Sequence, residues 1–228
     1  MRKCFVLNLG LTDYSTAHNL QLRLVAARRD RILENDIVLL LEHPPVFTLG
    51  RRGGLDNLRI PEAFLKTHGI EIVHVERGGD ITYHGPGQLV VYPIIDLREA
   101  GLGVADFVTT LEEVMIRTVA EWGISAGRNS LNRGVWVGKN KLGSIGIAVR
   151  RWVSFHGLAL NVNTILEHFS WINPCGLQGV SVTSMEQLLH KPIPMDEVRR
   201  STLKHIKEIF GVEIESVTLE EIHHRLAP

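Results

Sequence analysis

The chain has 228 residues, 44% of them hydrophobic and 22% charged, a composition that suits one large globular domain and excludes a disordered or fibrous chain. Lys plus Arg and Asp plus Glu both number 25, so the formal charge is zero, and no uncompensated excess of cations argues for a nucleic-acid partner. No stretch approaches the roughly 18 apolar residues of a membrane span, and the opening MRKCFVLNLGLTDYS lacks the apolar length and small-residue cleavage site of a secretory signal, so a cytoplasmic protein without a membrane span is expected.

In chain order, Cys4 to Leu9 reads as a strand, Ser15 to Glu34 as a helix, and Ile37 to Leu41 as a buried apolar strand ended by His43-Pro44-Pro45. Val46 to Leu49 is a short extended piece, Pro61 to His68 a short helix opened by its proline, and Ile70 to Val75 the next strand. A glycine-rich loop then leads into an apolar strand at Leu89 to Ile95. Val104 to Trp122 carries Val104, Phe107, Val108, Leu111, Val114, Met115, Val119 and Trp122 at helical spacing, the stripe of a helix packed on a sheet. From Gly134 the pattern changes to a hairpin about Gly138-Lys139-Asn140, with Trp152 to Val162 as a third antiparallel strand. Met195 to Phe210 reads as a helix, Val212 to Glu215 as a strand and Thr218 to Leu226 as a last helix.

Hairpins rather than strict strand–helix alternation predict an α+β fold, a mixed and mostly antiparallel sheet flanked by helices. Residues 1–228 are read as one catalytic domain, with about 183–228 open to forming a small C-terminal subdomain. The two cysteines, Cys4 and Cys175, form neither a disulfide framework nor a metal-type pair. Cys4 sits in an apolar strand and reads as core. Cys175 lies between a proline and a glycine in Asn173-Pro174-Cys175-Gly176, a turn-like setting where a nucleophile can be exposed.

Three other segments carry candidate chemistry. The loop Arg77 to Gln88, RGGDITYHGPGQ, places four glycines where backbone amides can approach a ligand without Cβ interference; a strained connector is the alternative. In Lys141-Leu142-Gly143-Ser144-Ile145-Gly146, strict alternation puts Lys141, Gly143, Ile145 and Ile147 on one strand face. Small residues there weaken a strand unless a ligand or another backbone needs the space, and an acyl chain is one such ligand. Lys141 itself is open to being a surface charge. In Ser154 to Asn161, SFHGLALN, His156 interrupts an apolar strand and is open to a structural reading.

In this order and spacing, RGGDITYHGPGQ, KLGSIG, SFHGLALN and NPCG resemble the lipoyl(octanoyl) transferase family over about residues 40–180. The resemblance implies the fold of the biotin and lipoate protein ligases. It implies transfer of an octanoyl group from acyl carrier protein, through a cysteine thioester, to a lysine of a lipoyl domain, those of 2-oxoacid dehydrogenases and the glycine cleavage H protein being the acceptors. Carried over by motif, Cys175 is the nucleophile and Lys141 activates it. Arg77, Gly78, Gly79, Asp80, Ile81, Thr82, Tyr83 and His84 line the substrate pocket, with Ser144, Ile145, Gly146, Gly157, Leu158 and Ala159. His156 is a supporting residue. No metal or other cofactor is implied, because the thioester arrives already activated.

The chemistry needs such parts. A free thiol near pKa 8.5 is only a few per cent ionised at neutral pH. An ammonium about 4 Å away, at an effective dielectric near 20, favours the thiolate by up to ~4 kcal/mol. Full ionisation still raises the nucleophile only about thirtyfold, so positioning and oxyanion donors, expected from the glycine-loop amides, must supply more. In the second half reaction Lys141 is expected to take the proton of the incoming amine. Arg51, Arg52, Arg77, Arg150 and Arg151 are expected to form a basic surface for an acidic carrier. Three alternatives remain at this level. An ATP-dependent ligase shares the fold, a binding module would hold the carrier without chemistry, and a Cys-His hydrolase using His84 or His156 would release free octanoate.

Overall fold

The computed structural model describes residues 2–173 and 180–226. β1 (Arg2–Leu11) leads into α1 (Tyr14–Arg29), whose N-cap Asp13 accepts the Thr16 N–H on its side chain and so satisfies one of the amides that a helix start leaves unpaired. β2 (Asp36–Glu42), β3 (Val46–Leu49), a 3-10 turn at Leu55–Asn57, α2 (Glu62–Thr67), β4 (Glu71–His74), β5 (Ile81–His84) and β6 (Gln88–Ile94) follow. Then come α3 (Val104–Ala120), the hairpin of β7 (Gly134–Val137) and β8 (Asn140–Arg150), β9 (Val153–Asn161) and a 3-10 turn at Leu166–Trp171. The described chain resumes into β10 (Ser181–Val182), α4 (Met185–Leu189), α5 (Met195–Phe210), β11 (Val212–Ser216) and α6 (Leu219–Arg225).

The main sheet runs β10-β8-β9-β6-β2-β1-β11, with β7 also on β8, and a three-stranded sheet runs β4-β3-β5. The centre is antiparallel, β2 on β6, β6 on β9 and β9 on β8. Parallel pairs lie at the edges, β1 with β2 and β11, and β10 with β8. This is the expected α+β arrangement. Central strands are covered on both faces, which is why they read as continuous apolar runs. Val38, Leu40, Val91 and Leu158 pack with Leu111 and Met115 of α3 and Ile206 of α5, whereas Ile37, Leu39, Val90 and Phe155 pack with Leu20 and Leu24 of α1.

Two local departures from the sequence reading have physical causes. The first helix ends at Arg29, five residues short of the expected Glu34. Arg31 adopts a left-handed φ of 59°, and the amides of Ile32 and Leu33 turn back onto the Ala27 carbonyl, so Leu33 is buried instead of continuing the helix. In β8, Lys141 pairs with Trp136 and Gly143 with Val135, leaving a register shift at Leu142. Such a bulge breaks the alternation of faces: Leu142 joins the α3 side of the core, while a Cβ on adjacent Gly143 would lie 2.6 Å from Met115 Sδ, also on α3. The single-face grouping of Lys141 with Gly143 therefore does not hold, and the space left at Gly143 is taken by a helix, not by an acyl chain.

Candidate active site

A cavity of about 620 Å³ opens between the β8–β9 edge of the main sheet and the loop that enters β5. Ser144 to Ile147 and His156 to Ala159 form one wall, Arg77 to Thr82 and His84 the facing one, and Tyr14, Arg52, Tyr92, Val108 and the stretch Asn129 to Arg133 close the rest. Glycines let these layers approach. A Cβ on Gly157 would lie 2.1 Å from the Val91 carbonyl oxygen of β6, and one on Gly146 would lie 2.9 Å from Arg77 Cδ and 3.2 Å from the Gly78 carbonyl oxygen. At those distances something must move, so these two positions are glycine because backbone and loop occupy the space.

The RGGD loop is strapped from both sides. Gly78 donates its N–H to the Ile147 carbonyl at 2.9 Å, and the carbonyls of Arg77 and Gly79 accept the amides of Arg51 and Arg52. Arg77 is buried; its guanidinium donates to the Thr48 carbonyl at 2.7 Å and the Thr48 hydroxyl at 2.8 Å. Burial on β3 removes Arg77 from the basic surface expected for a carrier protein, whereas Arg51, Arg52, Arg150 and Arg151 are exposed. The Gly78 amide, engaged on β8, is likewise taken out of the expected set of oxyanion donors. Asp80 accepts the Asn57 side-chain amide at 2.7 Å, and the Asn57 carbonyl accepts the Asn173 N–H at 2.8 Å. The start of the NPCG motif is thus tied to the cavity wall through two hydrogen bonds.

Lys141 is only 3% exposed. Its Nζ donates to Asn132 Oδ1 at 2.8 Å and lies 5.4 Å from the Trp136 ring centroid, a distance at which cation–π attraction operates. The Lys141 carbonyl accepts the Thr183 N–H, and Lys141 is paired with Val182 across β10. Gly134, at φ 131°, leaves room for this side chain, since a Cβ there would lie 2.9 Å from Lys141 Cε. The ammonium thus sits one hydrogen bond behind Asn132, which does line the cavity.

Buried imidazoles surround the inner end. His84 Nδ1 bonds Gln88 Oε1 at 2.7 Å, and Gln88 Nε2 donates to Asn161 Oδ1 at 2.9 Å. Because that amide orientation makes Oε1 an acceptor, His84 carries its proton on Nδ1. His43 Nδ1 meets the Thr12 carbonyl and its Nε2 accepts from the Tyr92 hydroxyl at 2.8 Å. Burial pushes His84 down to about 3, with neighbouring His43 acting in the same direction. Burial also pushes His43 down to about 4. Both are therefore neutral donor–acceptor groups near neutral pH.

Of the residues named from the sequence, Arg77, Gly78, Gly79, Asp80, Ile81, Thr82, His84, Ser144, Ile145, Gly146, His156, Gly157, Leu158 and Ala159 all line this one cavity. Tyr83 is not part of the lining. It faces the core of the small sheet, stacked on His168 with ring centroids 4.6 Å apart and 5.3 Å from Phe47. Cys175 lies outside the described residues. Sequence reasoning missed Tyr14, Tyr92, Val108 and the Asn129 to Arg133 stretch. Polar RNSLNR before the hairpin was a usable signal for the last, but Val108 sits in a helical stripe indistinguishable from core.

Residues 13–207 match the family model described as the lipoyl protein ligase A/B catalytic domain. A protein of Syntrophobacter fumaroxidans named octanoyltransferase is 51% identical, covering 97% of this chain and 97% of that protein. Another of that name from Desulfotalea psychrophila is 48% identical over 96% of this chain and 98% of its own length. Among solved structures, a bipartite lipoate protein ligase of Thermoplasma acidophilum superposes with TM-score 0.77 at 19% identity, covering 99% of this chain and 91% of that one. Lipoate-protein ligase A bound with ATP gives TM-score 0.75 at 17% identity, with 99% and 92% covered. Likeness to these ligases extends to the fold alone.

Proposed function

This chain belongs to the lipoyl protein ligase A/B catalytic-domain family, and on that premise we propose that it is an octanoyltransferase that passes an octanoyl group from acyl carrier protein, through a thioester on Cys175, to a lysine of a lipoyl domain. Its curated relatives carry the name octanoyltransferase. No helix among the described residues is long and apolar enough to cross a membrane.

One observation carries the reading: the described chain on both sides of residues 174–179 is anchored at the two halves of the proposed machinery. On one side Asn173 is bonded to Asn57 and through it to Asp80 of the cavity wall. On the other, Val182 and Thr183 are paired with Lys141. These flanking anchors, with the turn-type sequence Pro174-Cys175-Gly176 between them, support Cys175 as the group acting at this cavity.

In the first half reaction the Cys175 thiolate, favoured by the Lys141 ammonium, attacks the thioester carbonyl, a new C–S bond forms, the C–S bond to the carrier breaks, and the leaving carrier thiolate takes its proton from Lys141. In the second half the acceptor lysine attacks the same carbonyl, the amide forms, Cys175 leaves as the thiolate, and the now neutral Lys141 takes the amine's proton and returns to the ammonium. The acyl chain lies against Ile145, Ile147, Leu158 and Ala159, all in the lining, where each buried methylene contributes about 0.8 kcal/mol. Neutral His84, with its proton on Nδ1 toward Gln88, presents an acceptor at Nε2 and orients the inner wall. Thioester exchange in the first half is near-neutral and conversion of a thioester to an amide in the second is downhill, so no nucleotide enters the balance.

The test is turnover of octanoyl-carrier and apo-lipoyl domain with ATP and magnesium omitted. The reading expects full transfer there, near-complete loss in Cys175→Ala and slowing of both half reactions in Lys141→Ala. Transfer that needs ATP, or that survives in Cys175→Ala, contradicts it.

A further inference from the structure

Behind the cavity wall, three segments distant in sequence bring metal-ligating groups together. His18 comes from α1, Glu76 from the residue preceding Arg77, and His156 from β9. His18 Nε2 is 3.0 Å and His156 Nε2 3.5 Å from the same oxygen, Glu76 Oε2, and the three donor atoms all lie within 4.8 Å of one another. The two rings are stacked, with centroids 5.4 Å apart.

His156 is the unusual member. It is 1% exposed and holds a left-handed φ of 55°, a conformation a non-glycine residue keeps only when its surroundings impose it. Among the described residues neither ring nitrogen has a hydrogen-bond partner. A buried lone pair without a donor is costly, and its approach to Glu76 is at the limit of hydrogen-bond length. The hydrogen bonds around the cavity therefore leave this side chain unexplained, although its backbone N–H is well served by Gln21 Oε1 at 2.7 Å.

We propose that His18, Glu76 and His156 form a three-ligand site for one divalent transition-metal ion, with zinc the best match to two imidazoles and a carboxylate. That donor set is one zinc accepts with a fourth position left to water, and an ion 2.0–2.1 Å from each ligand in tetrahedral geometry sets the ligands about 3.3 Å apart, between the two separations measured from Glu76 Oε2, while the two imidazole nitrogens, within 4.8 Å of each other, close on the ion. The imidazoles must be neutral to bind. Calcium and magnesium, which prefer oxygen donors, fit poorly. Opposing the ion, the Arg150 guanidinium lies 3.8 Å from the other Glu76 oxygen, which moderates affinity. His156 lines the cavity while His18 and Glu76 stand outside the lining. The ion therefore clamps α1, the entry to the RGG loop and β9 from behind the wall, and is not a participant in acyl transfer.

The experiment uses full-length Cys175→Ser protein, so that the thiol proposed as nucleophile does not compete for zinc. After chelator treatment it is titrated with zinc sulfate by calorimetry and melted with and without zinc. One zinc per chain and a raised melting temperature are expected, with affinity weakened about tenfold or more in Glu76→Gln and in His18→Gln, and unchanged in His68→Gln, an exposed histidine elsewhere. Glu76→Gln is nearly isosteric, and its melt without zinc shows whether it folds. Absence of stoichiometric binding, or equal affinity in folded Glu76→Gln and His18→Gln, overturns the proposal and leaves a hydrogen-bonded His-Glu-His cluster.

Discussion

Replacing Asn132 with alanine removes the acceptor that meets Lys141 Nζ at 2.8 Å from the lining of the cavity. The Asn132 carbonyl that accepts the Trp136 indole N–H belongs to the backbone and survives the change. A hydrogen bond to a charged group contributes about 1.5–3 kcal/mol net. If that bond holds the lysine where the transition state needs it, each ~1.4 kcal/mol corresponds to a tenfold loss, so kcat falls about 10- to 150-fold. Binding of the carrier-bound donor does not use this bond, so its KM changes by no more than about twofold. The assay is steady-state octanoyl transfer at several donor concentrations, with single-turnover measurements separating the two half reactions and a thermal melt confirming the fold. A variant that keeps wild-type kcat in both half reactions, while Lys141→Ala is inactive, refutes the idea that Asn132 positions the lysine.

Three further outcomes follow from the same geometry. Gly146→Ala forces a Cβ to within 2.9 Å of Arg77 Cδ and 3.2 Å of the Gly78 carbonyl oxygen; overpacking of about 1–3 kcal/mol should lower the melting temperature by ~2–10 °C and raise donor KM as the loop shifts, whereas an unperturbed melt would mean the loop is not seated on β8. His43 and His84, held near 4 and 3 by burial, are neutral when folded and take protons when unfolded. The unfolded state therefore binds more protons below about pH 6.5, and stability, full above that value, falls as pH drops, by up to ~1.4 kcal/mol per pH unit for each imidazole. Chemical denaturation across this window should show His84→Gln losing about one proton from the slope; an unchanged slope rejects the assignment. Charge reversal at exposed Arg51 and Arg52 should raise KM for the carrier-bound donor most strongly at low salt, and a salt-independent, unchanged KM would remove the basic docking surface.

The sequence announces what burial on two faces makes obvious. β2 and β6 are continuous apolar runs, and the stripe of α3 has strong helical spacing, so all three are legible with nearly their observed limits. Less legible is whatever depends on a distant partner. Ile81 to His84 reads as part of a glycine loop, yet it is a strand because β3, far upstream, supplies an antiparallel edge. Its alternation sends Tyr83 into the small-sheet core and Thr82 and His84 toward the cavity, which is why a motif of consecutive letters overstates the pocket by one residue. The two-residue β10 has no local signal at all; it exists because β8 offers Asn140 and Lys141 as partners. The bulge at Leu142 and the burial of Arg77 on Thr48 are tertiary facts of the same kind. By contrast, most residues that line the cavity could be named from motifs, since glycine, arginine and histidine in these orders serve close backbone approach and buried polar bonding.

A mass measurement on the intact protein, mixed with octanoyl-carrier and no acceptor, addresses the covalent step itself. The account predicts a stoichiometric gain of one octanoyl group, mapped by peptide analysis to Cys175, discharged on adding apo-lipoyl domain and lost in Cys175→Ser. A protein that transfers octanoyl groups while never acquiring that mass, or that carries it on another residue, contradicts the account.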